Sequence, residues 1–243
     1  IECLTYLGDQ DSKEGFINEN LKSNVTLSPI YKHNSPTITK TRYVEEGNGQ
    51  KVFEVYEINE SPFNERDQSQ FLEKLRKRID EFDLVIVADY GHGLLNQDSI
   101  NFISKESKFL SVNTQANAGN HGFNCISKYP HADFVSIANR ELQLSFRDRN
   151  RDAGVHLRRL VEEEKYEKIL VTDGKNGSLC SYQQGQISKA PAFALQVKDR
   201  IGAGDAVLAI TSYCVHKGAP AEIAAFIGNV VGAEAVNIMG NKS

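Results

Sequence analysis

The chain has 243 residues, of which 40% are hydrophobic and 25% are charged, and its formal net charge is −4. This composition is typical of a globular protein with a sizeable core, and it lacks both the long basic runs that track nucleic acid and the apolar runs that span membranes. Four scattered cysteines and six dispersed histidines argue against a disulfide framework and a zinc site, and they favour a reducing, cytoplasmic location. We therefore expect neither nucleic acid nor a membrane as partner.

The first part of the chain predicts two short strands with a helix between them. Residues 4–7 and 25–27 have the pattern of buried strands. Asp11 is followed three residues later by Glu14, and this spacing resembles a capping box that starts a short helix. The helix is expected to end at about Leu21.

The next segment predicts a β-hairpin within about residues 36–58. Polar residues alternate with β-branched or aromatic residues over 37–44 and 51–58, and the turn-forming residues 46–49 join the two runs. A hairpin with one exposed face can cover a site as a lid or form a dimer surface, while a purely structural hairpin is the plainer alternative.

A helix capped by Asn64 leads into a region, from residue 82 onwards, where strands and helices alternate. Apolar runs predict buried parallel strands at 84–88, 109–113, 134–137 and 169–172. An antiparallel edge hairpin is predicted at 178–182, and helices are predicted at 153–164, 205–216 and 221–236. The alternation indicates an α/β fold, mostly a parallel sheet with helices on both faces.

Polar residues stand where the predicted strands end. They are Asp89, Asn113, Asn139, Asp173 and Gly174. In parallel α/β sheets, ligands bind beyond the carboxyl ends of the strands, so these residues are expected on one rim together with residues 202–205. The topology alone therefore predicts a binding site at this rim.

Gly202-Ala203-Gly204-Asp205 precedes an apolar run that predicts a helix. Glycines allow backbone N–H groups to approach a ligand closely, and a helix N-terminus attracts phosphate. Asp205, in the first turn, has two interpretations of about equal weight. It caps the helix, or it takes a proton from a hydroxyl that attacks the phosphate.

The same loop resembles the signature of the ribokinase-like, or PfkB, sugar kinases. Their D-T-x-G-A-G-D motif stands here as D-R-I-G-A-G-D over residues 199–205. The resemblance implies a ribokinase-like fold with a small β-hairpin lid, and ATP and Mg²⁺ as cofactors. It further implies that the amides of Gly202, Ala203 and Gly204 form an anion hole and that Asp205 is the catalytic base.

Two further motifs extend the resemblance over most of the chain. L-V-T-D-G-K-N-G ends the strand before the antiparallel pair and is similar to the family's turn beneath the nucleotide. This implies nucleotide contacts for Thr172, Gly174 and Gly177, and Asn229 matches a family position near the adenine. A shortened version of the family's N-x-x-E motif implies a place for Asn139 at the nucleotide and for Glu141 in the magnesium shell.

Within the family, the heptose 7-phosphate kinases of lipopolysaccharide-precursor synthesis are the most similar. The similar segments are T-Y-L-G-D-Q at 5–10, P-T-I-T-K-T-R at 36–42 and A-D-Y-G-H-G at 88–93. This resemblance implies a sugar phosphate as substrate, contacted by Asp89, with Lys40 and Arg42 of the hairpin reaching its phosphate. For these two cations, a solvated position on an exposed strand is the plainer alternative.

The chain opens on a strand-like segment without an initiator methionine, and the family's first strand is not recognisable in it. We therefore expect residues 1–243 to be one kinase domain truncated at its N-terminus, which alone is unstable or inactive. A nucleotidyltransferase domain in the parent protein and a homodimer through the hairpin stay open. So do two alternative functions, namely a same-fold kinase of another small alcohol or nucleoside, and a non-catalytic nucleotide-binding fragment.

Overall fold

The structure is a computed structural model that describes residues 1–46, 51–120, 122–163, 166–182 and 186–238. It contains two compact units. The first comprises Ile1–Arg78 and His92–Asn96, and the second comprises Ile79–Gly91 and Gln97–Ser243. Within the described ranges, no helix is both long and apolar enough to cross a membrane.

The first unit contains two small sheets and two helices. Their bounds are β1 Glu2–Gln10, α1 Glu14–Asn20, β2 Thr26–Pro36, β3 Thr39–Val44, β4 Lys51–Glu57 and α2 Glu65–Arg78. Strands β1 and β2 pair in parallel, and β3 and β4 form the predicted antiparallel hairpin. The turn predicted at 46–49 lies, except for Glu46, outside the described residues. The cap on α2 is confirmed, because Asn64 Oδ1 accepts the backbone N–H of Asp67 at 2.8 Å.

Two predictions for the first unit are wrong in detail. Asp11 does not cap α1, because Asp11 and Lys13 both adopt left-handed backbone with φ 57° and their side chains pair at 2.6 Å. Strand β2 is much longer than the predicted 25–27 and includes Pro29, which pairs with Thr5 of β1. Proline is tolerated there because β2 has a partner on one side only within its two-stranded sheet.

The second unit is built on a six-stranded sheet in the order β10-β9-β8-β7-β6-β5. The strands are β5 Val85–Asp89, β6 Leu110–Thr114, β7 Phe134–Ala138, β8 Lys168–Thr172, β9 Ser178–Tyr182 and β10 Ser188–Ala190. Strands β5 to β8 are parallel, whereas β9 and β10 are antiparallel additions. The mostly parallel α/β architecture is therefore confirmed.

Two edges of this sheet differ from the prediction. Strand β5 was expected to be buried on both faces, but it ends the sheet, and Ile86 is 40% exposed. The predicted edge strand 178–182 lies instead between β8 and β10. Strand β10 was not predicted because it has only three residues and no apolar periodicity.

Five α-helices complete the described part of the second unit. They are α3 Gln97–Glu106, α4 Asn139–Ser145, α5 Ala153–Glu163, α6 Ala203–His216 and α7 Ala221–Val236. The final residue of the predicted 153–164 helix lies outside the described residues, and α4 was not predicted. Helix α7 packs closely on the sheet, because a Cβ on Gly228 would lie 3.2 Å from Leu170 Cδ2 of β8.

Candidate active site

The glycine loop forms the N-terminus of α6. Gly202 is the N-cap residue with φ 76°, a left-handed conformation that favours glycine. The helix begins at Ala203, two residues earlier than predicted, so Asp205 is its third residue. First-turn amides have no α-helical acceptor, although the Ala203 N–H makes a long contact of 3.5 Å with the Arg200 carbonyl, and a Cβ built on Gly204 meets no atom within 4 Å. The loop therefore presents backbone N–H groups on a side that is open at Gly204.

Asp205 is held by a side chain from the loop that follows the edge strand β5. The Tyr90 hydroxyl donates to Asp205 Oδ1 at 2.7 Å, across 115 residues of sequence. Tyr90 directly follows β5, so this bond connects the carboxyl end of that strand to the first turn of α6. Burial raises the pKa of Tyr90, and the negative charge of Asp205 raises it further. The phenol is therefore a hydrogen-bond donor at any ordinary pH.

The backbone of Tyr90 is held by two asparagines. Asn117 Nδ2 and Asn120 Nδ2 both donate to the Tyr90 carbonyl oxygen, at 2.6 and 3.0 Å. Asn120 Nδ2 also donates, at 2.8 Å, to the carbonyl oxygen of Gln115, the residue that follows β6. Two neighbouring strand ends are thus joined around Tyr90 by side-chain amides.

Asp89 occupies a buried position beside this loop, with 5% of its surface exposed. Its Oδ2 accepts the Tyr129 hydroxyl at 2.6 Å and pairs with Lys128 Nζ at 2.6 Å. Its Oδ1 accepts the backbone N–H of Gly91 at 2.9 Å. Burial, and then the charge of Asp89, raises the pKa of Tyr129. The carboxylate predicted to bind substrate therefore has internal partners on both oxygens.

Asn139 and Asp173, at the ends of β7 and β8, are in contact. Asn139 Nδ2 donates to Asp173 Oδ1 at 3.0 Å, and Asn139 Oδ1 lies 2.9 Å from His156 Nδ1. Because that amide oxygen can only accept, the network assigns the proton to His156 Nδ1. His156 is fully buried. Asn139 is thus fixed from both ends, which orients Asp173 at the rim.

Glu141 lies in the first turn of α4. Its Oε2 is buried and has no hydrogen-bond partner within the described residues. Burial raises the pKa of Glu141, and hydrogen bonds from backbone N–H groups, including that of Ala116, oppose this only in part. In the part of the chain that the structure describes, no three His, Cys, Asp or Glu side chains cluster as a metal site. Among the described residues, Glu141 is therefore an isolated carboxylate whose Oε2 atom has no hydrogen-bond partner.

The turn after β8 depends on two glycines with positive φ. Gly174 has φ 53° and is exposed, and a Cβ there meets nothing within 4 Å. Gly177 has φ 88°, and a Cβ would collide with the Ala190 carbonyl of β10. The Asp173 N–H donates to the Gly177 carbonyl at 2.8 Å, which closes the turn beyond Thr172. Gly177 is required by the packing, while Gly174 presents an open surface.

Asn229 of α7 has internal partners. Its Nδ2 donates to Ser178 Oγ of β9 at 2.6 Å and to the carbonyl of Ala225 at 2.9 Å. The Ser178 hydroxyl in turn donates to the same Ala225 carbonyl at 3.2 Å. These bonds attach α7 to the sheet, so the amide nitrogen of Asn229 acts within the fold.

A cleft of about 560 Å³ with a mixed polar and apolar lining lies along the exposed side of α7. It is lined by Phe193, Leu195, Gln196, Phe226, Val230, Ala233, Glu234 and Asn237. Phe193 and Phe226 pack edge to face with ring centroids 5.4 Å apart. The lining segment leads directly into the glycine loop, and the intervening N–H groups of Lys198 and Asp199 donate to the Val236 carbonyl. The segment that lines the cleft is thus adjacent in sequence to the glycine loop, and the residues between them are bonded to the end of α7.

Lys40 and Arg42 lie on β3 of the first unit, and both contact β4. Arg42 Nε pairs with Glu54 Oε1 at 2.5 Å. Lys40 Nζ lies 4.8 Å from the centre of the Tyr56 ring. Both cations therefore have partners within the hairpin.

The sequence profile of the pfkB family carbohydrate kinases matches residues 2–242. The chain belongs to this family. The match confirms the carbohydrate kinase class predicted from the glycine loop and the turn after β8.

Curated relatives of this pfkB-family chain include the bifunctional protein HldE of Helicobacter hepaticus. It is 27% identical over 240 residues, which cover 95% of this chain and 48% of that protein. The protein of the same name from Campylobacter jejuni is 26% identical over 246 residues, or 99% of this chain and 50% of that protein. The chain thus spans about half the length of the curated relatives it matches.

Solved structures of two other kinases share the fold. Ribokinase from Thermotoga maritima aligns with a TM-score of 0.74 at 16% identity, over 98% of this chain and 75% of that chain. Phosphofructokinase-2 from Escherichia coli, in complex with substrates and products, aligns with a TM-score of 0.75 at 14% identity, over 97% and 76%. The expected ribokinase-like fold is confirmed.

Several residues that build the site in this pfkB-family chain had no assigned role in the sequence. Tyr90 was noted only as part of a motif, and Asn117, Asn120, Lys128 and Tyr129 were not considered. One signal existed, because asparagines recur at three- and four-residue spacing between β6 and the following turn. Asn side chains commonly bond backbone groups in loops, so this spacing indicates a loop held by amides.

Proposed function

We propose that the chain is a kinase domain that transfers the γ-phosphoryl group of ATP to a hydroxyl of a sugar phosphate, with heptose 7-phosphate as the first candidate. One observation carries the proposal. Asp205 lies in the first turn of α6, beside glycine-loop amides that suit a phosphate and under a hydrogen bond from Tyr90. The resemblance of the strand-end motifs to heptose 7-phosphate kinases, and the match to bifunctional HldE proteins, support the choice of sugar.

In the proposed reaction, Asp205 accepts the proton of the attacking sugar hydroxyl. The sugar oxygen forms a bond to the γ-phosphorus as the bond to the β-phosphate oxygen breaks, and ADP leaves with the electron pair of that bond. The amides of Gly202, Ala203 and Gly204 stabilise the charge on the transferring phosphoryl oxygens. The pre-formed helix N-terminus supports this role, since its donors need no rearrangement.

Glu141 is the proposed contributor to the Mg²⁺ that accompanies ATP. An unpaired carboxylate oxygen with a raised pKa fits a cation, and Mg²⁺ in nucleotide sites is commonly bound by one or two carboxylates plus phosphates and water. When bound, the ion neutralises charge on the phosphates. Glu141 alone fits this pattern of few protein ligands.

The nucleotide side is proposed to run from the turn after β8 to the cleft on α7. Thr172 and Gly174 would face the phosphates and ribose. Gly177 keeps the turn in place, Asn139 orients Asp173, and Asn229 attaches α7 to the sheet. The cleft combines two aromatic rings with the polar side chains of Gln196, Glu234 and Asn237, and this combination suits a flat heteroaromatic ring with polar edges such as adenine. The ATP assignment is thus supported by a surface that sequence analysis did not identify.

Asp89 is better explained as a structural clamp than as the substrate ligand predicted from sequence. Its carboxylate is saturated by Lys128, Tyr129 and a backbone N–H, so a sugar hydroxyl would have to displace a buried partner. The proposed role is to fix the loop that carries Tyr90. The geometry therefore favours an indirect contribution.

The hairpin of residues 36–58 is proposed as the lid of one kinase domain formed by residues 1–243. Lys40 and Arg42 would reach a phosphate on the sugar only by exchanging their present partners. One hairpin face carries exposed Tyr43 and Phe53, whose rings stack at 4.3 Å, and this face suits a homodimer contact. A nucleotidyltransferase domain elsewhere in the parent protein is proposed from the bifunctional relatives.

A second candidate is a kinase of the same fold that acts on another small alcohol or a nucleoside. The observation in its favour is that Arg42 is already paired with Glu54, whose pKa is lowered chiefly by its hydrogen bond to Lys51 and also by its bond to Arg42. A substrate panel decides between the two. Preference for unphosphorylated sugars or nucleosides would favour the second candidate and keep the kinase assignment.

The proposal is tested by Asp205→Asn in the full-length protein. We expect ATP binding to persist and turnover to fall about 10²–10⁴-fold, the usual range for a lost general base. The control is Glu222→Gln, which neutralises an exposed acid in the first turn of α7. Turnover of Asp205→Asn within a few-fold of the parent, with Glu222→Gln also unchanged, would refute the role of Asp205.

A further inference from the structure

We propose that Tyr90 is a positioning residue for the proposed base, and that its hydroxyl fixes the Asp205 carboxylate so that one oxygen stays available to take the proton. The inference rests on the proposed function of Asp205. It adds to the reacting group a named residue that directly follows the edge strand β5.

The contact geometry supports this role. Tyr90 donates to Asp205 Oδ1 at 2.7 Å, which leaves Oδ2 without this bond. A carboxylate that rotates freely about its last torsion presents either oxygen in many directions, because that torsion has a broad energy profile. A short bond to one oxygen therefore selects a narrow set of orientations for the other. An ionised acceptor also makes this a charge-assisted bond, which is stronger than a neutral one.

The chemistry of a phenol suits the task. Since burial raises the pKa of Tyr90, the hydroxyl keeps its proton and does not compete with Asp205 as a base. A lysine or arginine in the same place would also donate, but it would add a full positive charge beside the base and draw the carboxylate into an ion pair. A neutral donor orients Asp205 without placing a formal positive charge beside it.

Tyr90 is itself held in place from two sides. Asn117 and Asn120 donate to its carbonyl oxygen, and the preceding Asp89 is anchored by Lys128 and Tyr129. Helix α6 does not depend on the Tyr90 hydroxyl for its attachment, because Val207, Leu208 and Val215 of α6 are buried at 2–3% exposure. Anchoring of α6 alone therefore does not account for a Tyr90 loop whose backbone is fixed by several side-chain hydrogen bonds.

A positioning role predicts a specific kinetic signature. Orientation of the base matters for proton transfer in the transition state and not for nucleotide binding, so kcat should fall while KM for ATP stays constant. It also predicts that the contribution of Tyr90 passes through Asp205. Once Asp205 is replaced, the Tyr90 hydroxyl has nothing left to orient.

The experiment is a double-mutant cycle in the full-length protein with Tyr90→Phe, Asp205→Asn and the double variant. We expect Tyr90→Phe to lower kcat about 10–100-fold, the range for loss of a hydrogen bond to a charged group, with KM for ATP within about two-fold. In the Asp205→Asn background, Tyr90→Phe should lower kcat less than about two-fold further. The control is Tyr31→Phe, which removes a phenol–carboxylate bond of 2.6 Å to Glu14 in the first unit instead. Its effect should be the same in both backgrounds.

Two results would overturn the inference while leaving Asp205 as the base. One is a kcat of Tyr90→Phe within about two-fold of the parent, and the other is an equal fall of kcat in both backgrounds. If Asp205→Asn alone left turnover intact, the proposed function and this inference would fail together. Should Tyr90→Phe not fold, as judged by its melting curve, Asn117→Asp removes a donor from the Tyr90 carbonyl and keeps the phenol. It should lower kcat with the same dependence on Asp205, and independence of Asp205 would refute the inference.

Discussion

Replacement of Asp89 by asparagine distinguishes two roles of this carboxylate: a structural clamp that fixes the loop carrying Tyr90, and a substrate ligand. The variant keeps the size of the side chain but removes the negative charge that Lys128 and Tyr129 face inside the second unit. Removing one partner of a buried ion pair costs about 3–5 kcal/mol, and because the Lys128 side chain is 26% exposed we expect a smaller cost of about 2–3 kcal/mol. For a chain of this length that corresponds to a fall in Tm of roughly 4–12 °C.

The assay is a melting curve of the full-length protein together with KM for the sugar phosphate. Asp83→Asn is the matched control, because Asp83 precedes the same strand but is 79% exposed and lies 3.5 Å from Lys108, so its Tm should hardly change. A clamp predicts a large fall in Tm and little change in KM where the variant is folded. The reverse pattern, an unchanged Tm with a raised KM, would refute the clamp and restore Asp89 as a substrate ligand.

Two further predictions follow from buried titrating groups. Without nucleotide and Mg²⁺, Glu141→Gln should raise Tm by about 2–4 °C, because the amide carries no negative charge into this buried site, which lowers the desolvation cost by about 1 kcal/mol; the gain should disappear at saturating Mg²⁺ and ATP, and an unchanged Tm without ligand would contradict it. Burial raises the pKa of Tyr6 and that of Cys180 to about 12, so their contributions to the free energy of unfolding are present below pH 9 and are lost progressively as the pH rises towards 12. Urea unfolding between pH 8 and 11 measures this loss, and Tyr6→Phe with Cys180→Ala should flatten it; a slope identical to that of the parent would count against both groups.

The parts of the structure that were predictable from sequence are those with a local pattern. Strands β5 to β8 are apolar runs, and the glycine loop combines a required positive φ at Gly202 with a helix immediately after it. Strand β2 was underestimated because Pro29 normally argues against a strand, and only its one-sided pairing with β1 makes it acceptable. The local sequence of a strand does not indicate whether that strand lies at the edge of the sheet.

The parts of the candidate site that could not be predicted depend on partners far apart in sequence. Asp89 and Tyr129 are 40 residues apart, and Tyr90 and Asp205 are 115 residues apart, so no spacing rule connects them. Sequence analysis correctly expected Asp89 at a strand end, but whether that carboxylate faces a ligand or a lysine is decided by tertiary packing. Asn229 is the same case, because its helix position was evident and its bond to Ser178 was not.

The close seating of α7 has a consequence for how the cleft on its outer side discriminates between ligands. Ala224 and Ala225 are fully buried, and the Cα of Gly228 approaches Leu170 so closely that even a methyl group would be in tight contact. A helix that meets a sheet through such small residues has no compressible layer of side chains beneath it. Phe226 and Val230 therefore project from a helix that cannot move closer to the sheet. We expect the cleft to keep its width and to select planar rings by their thickness and shape.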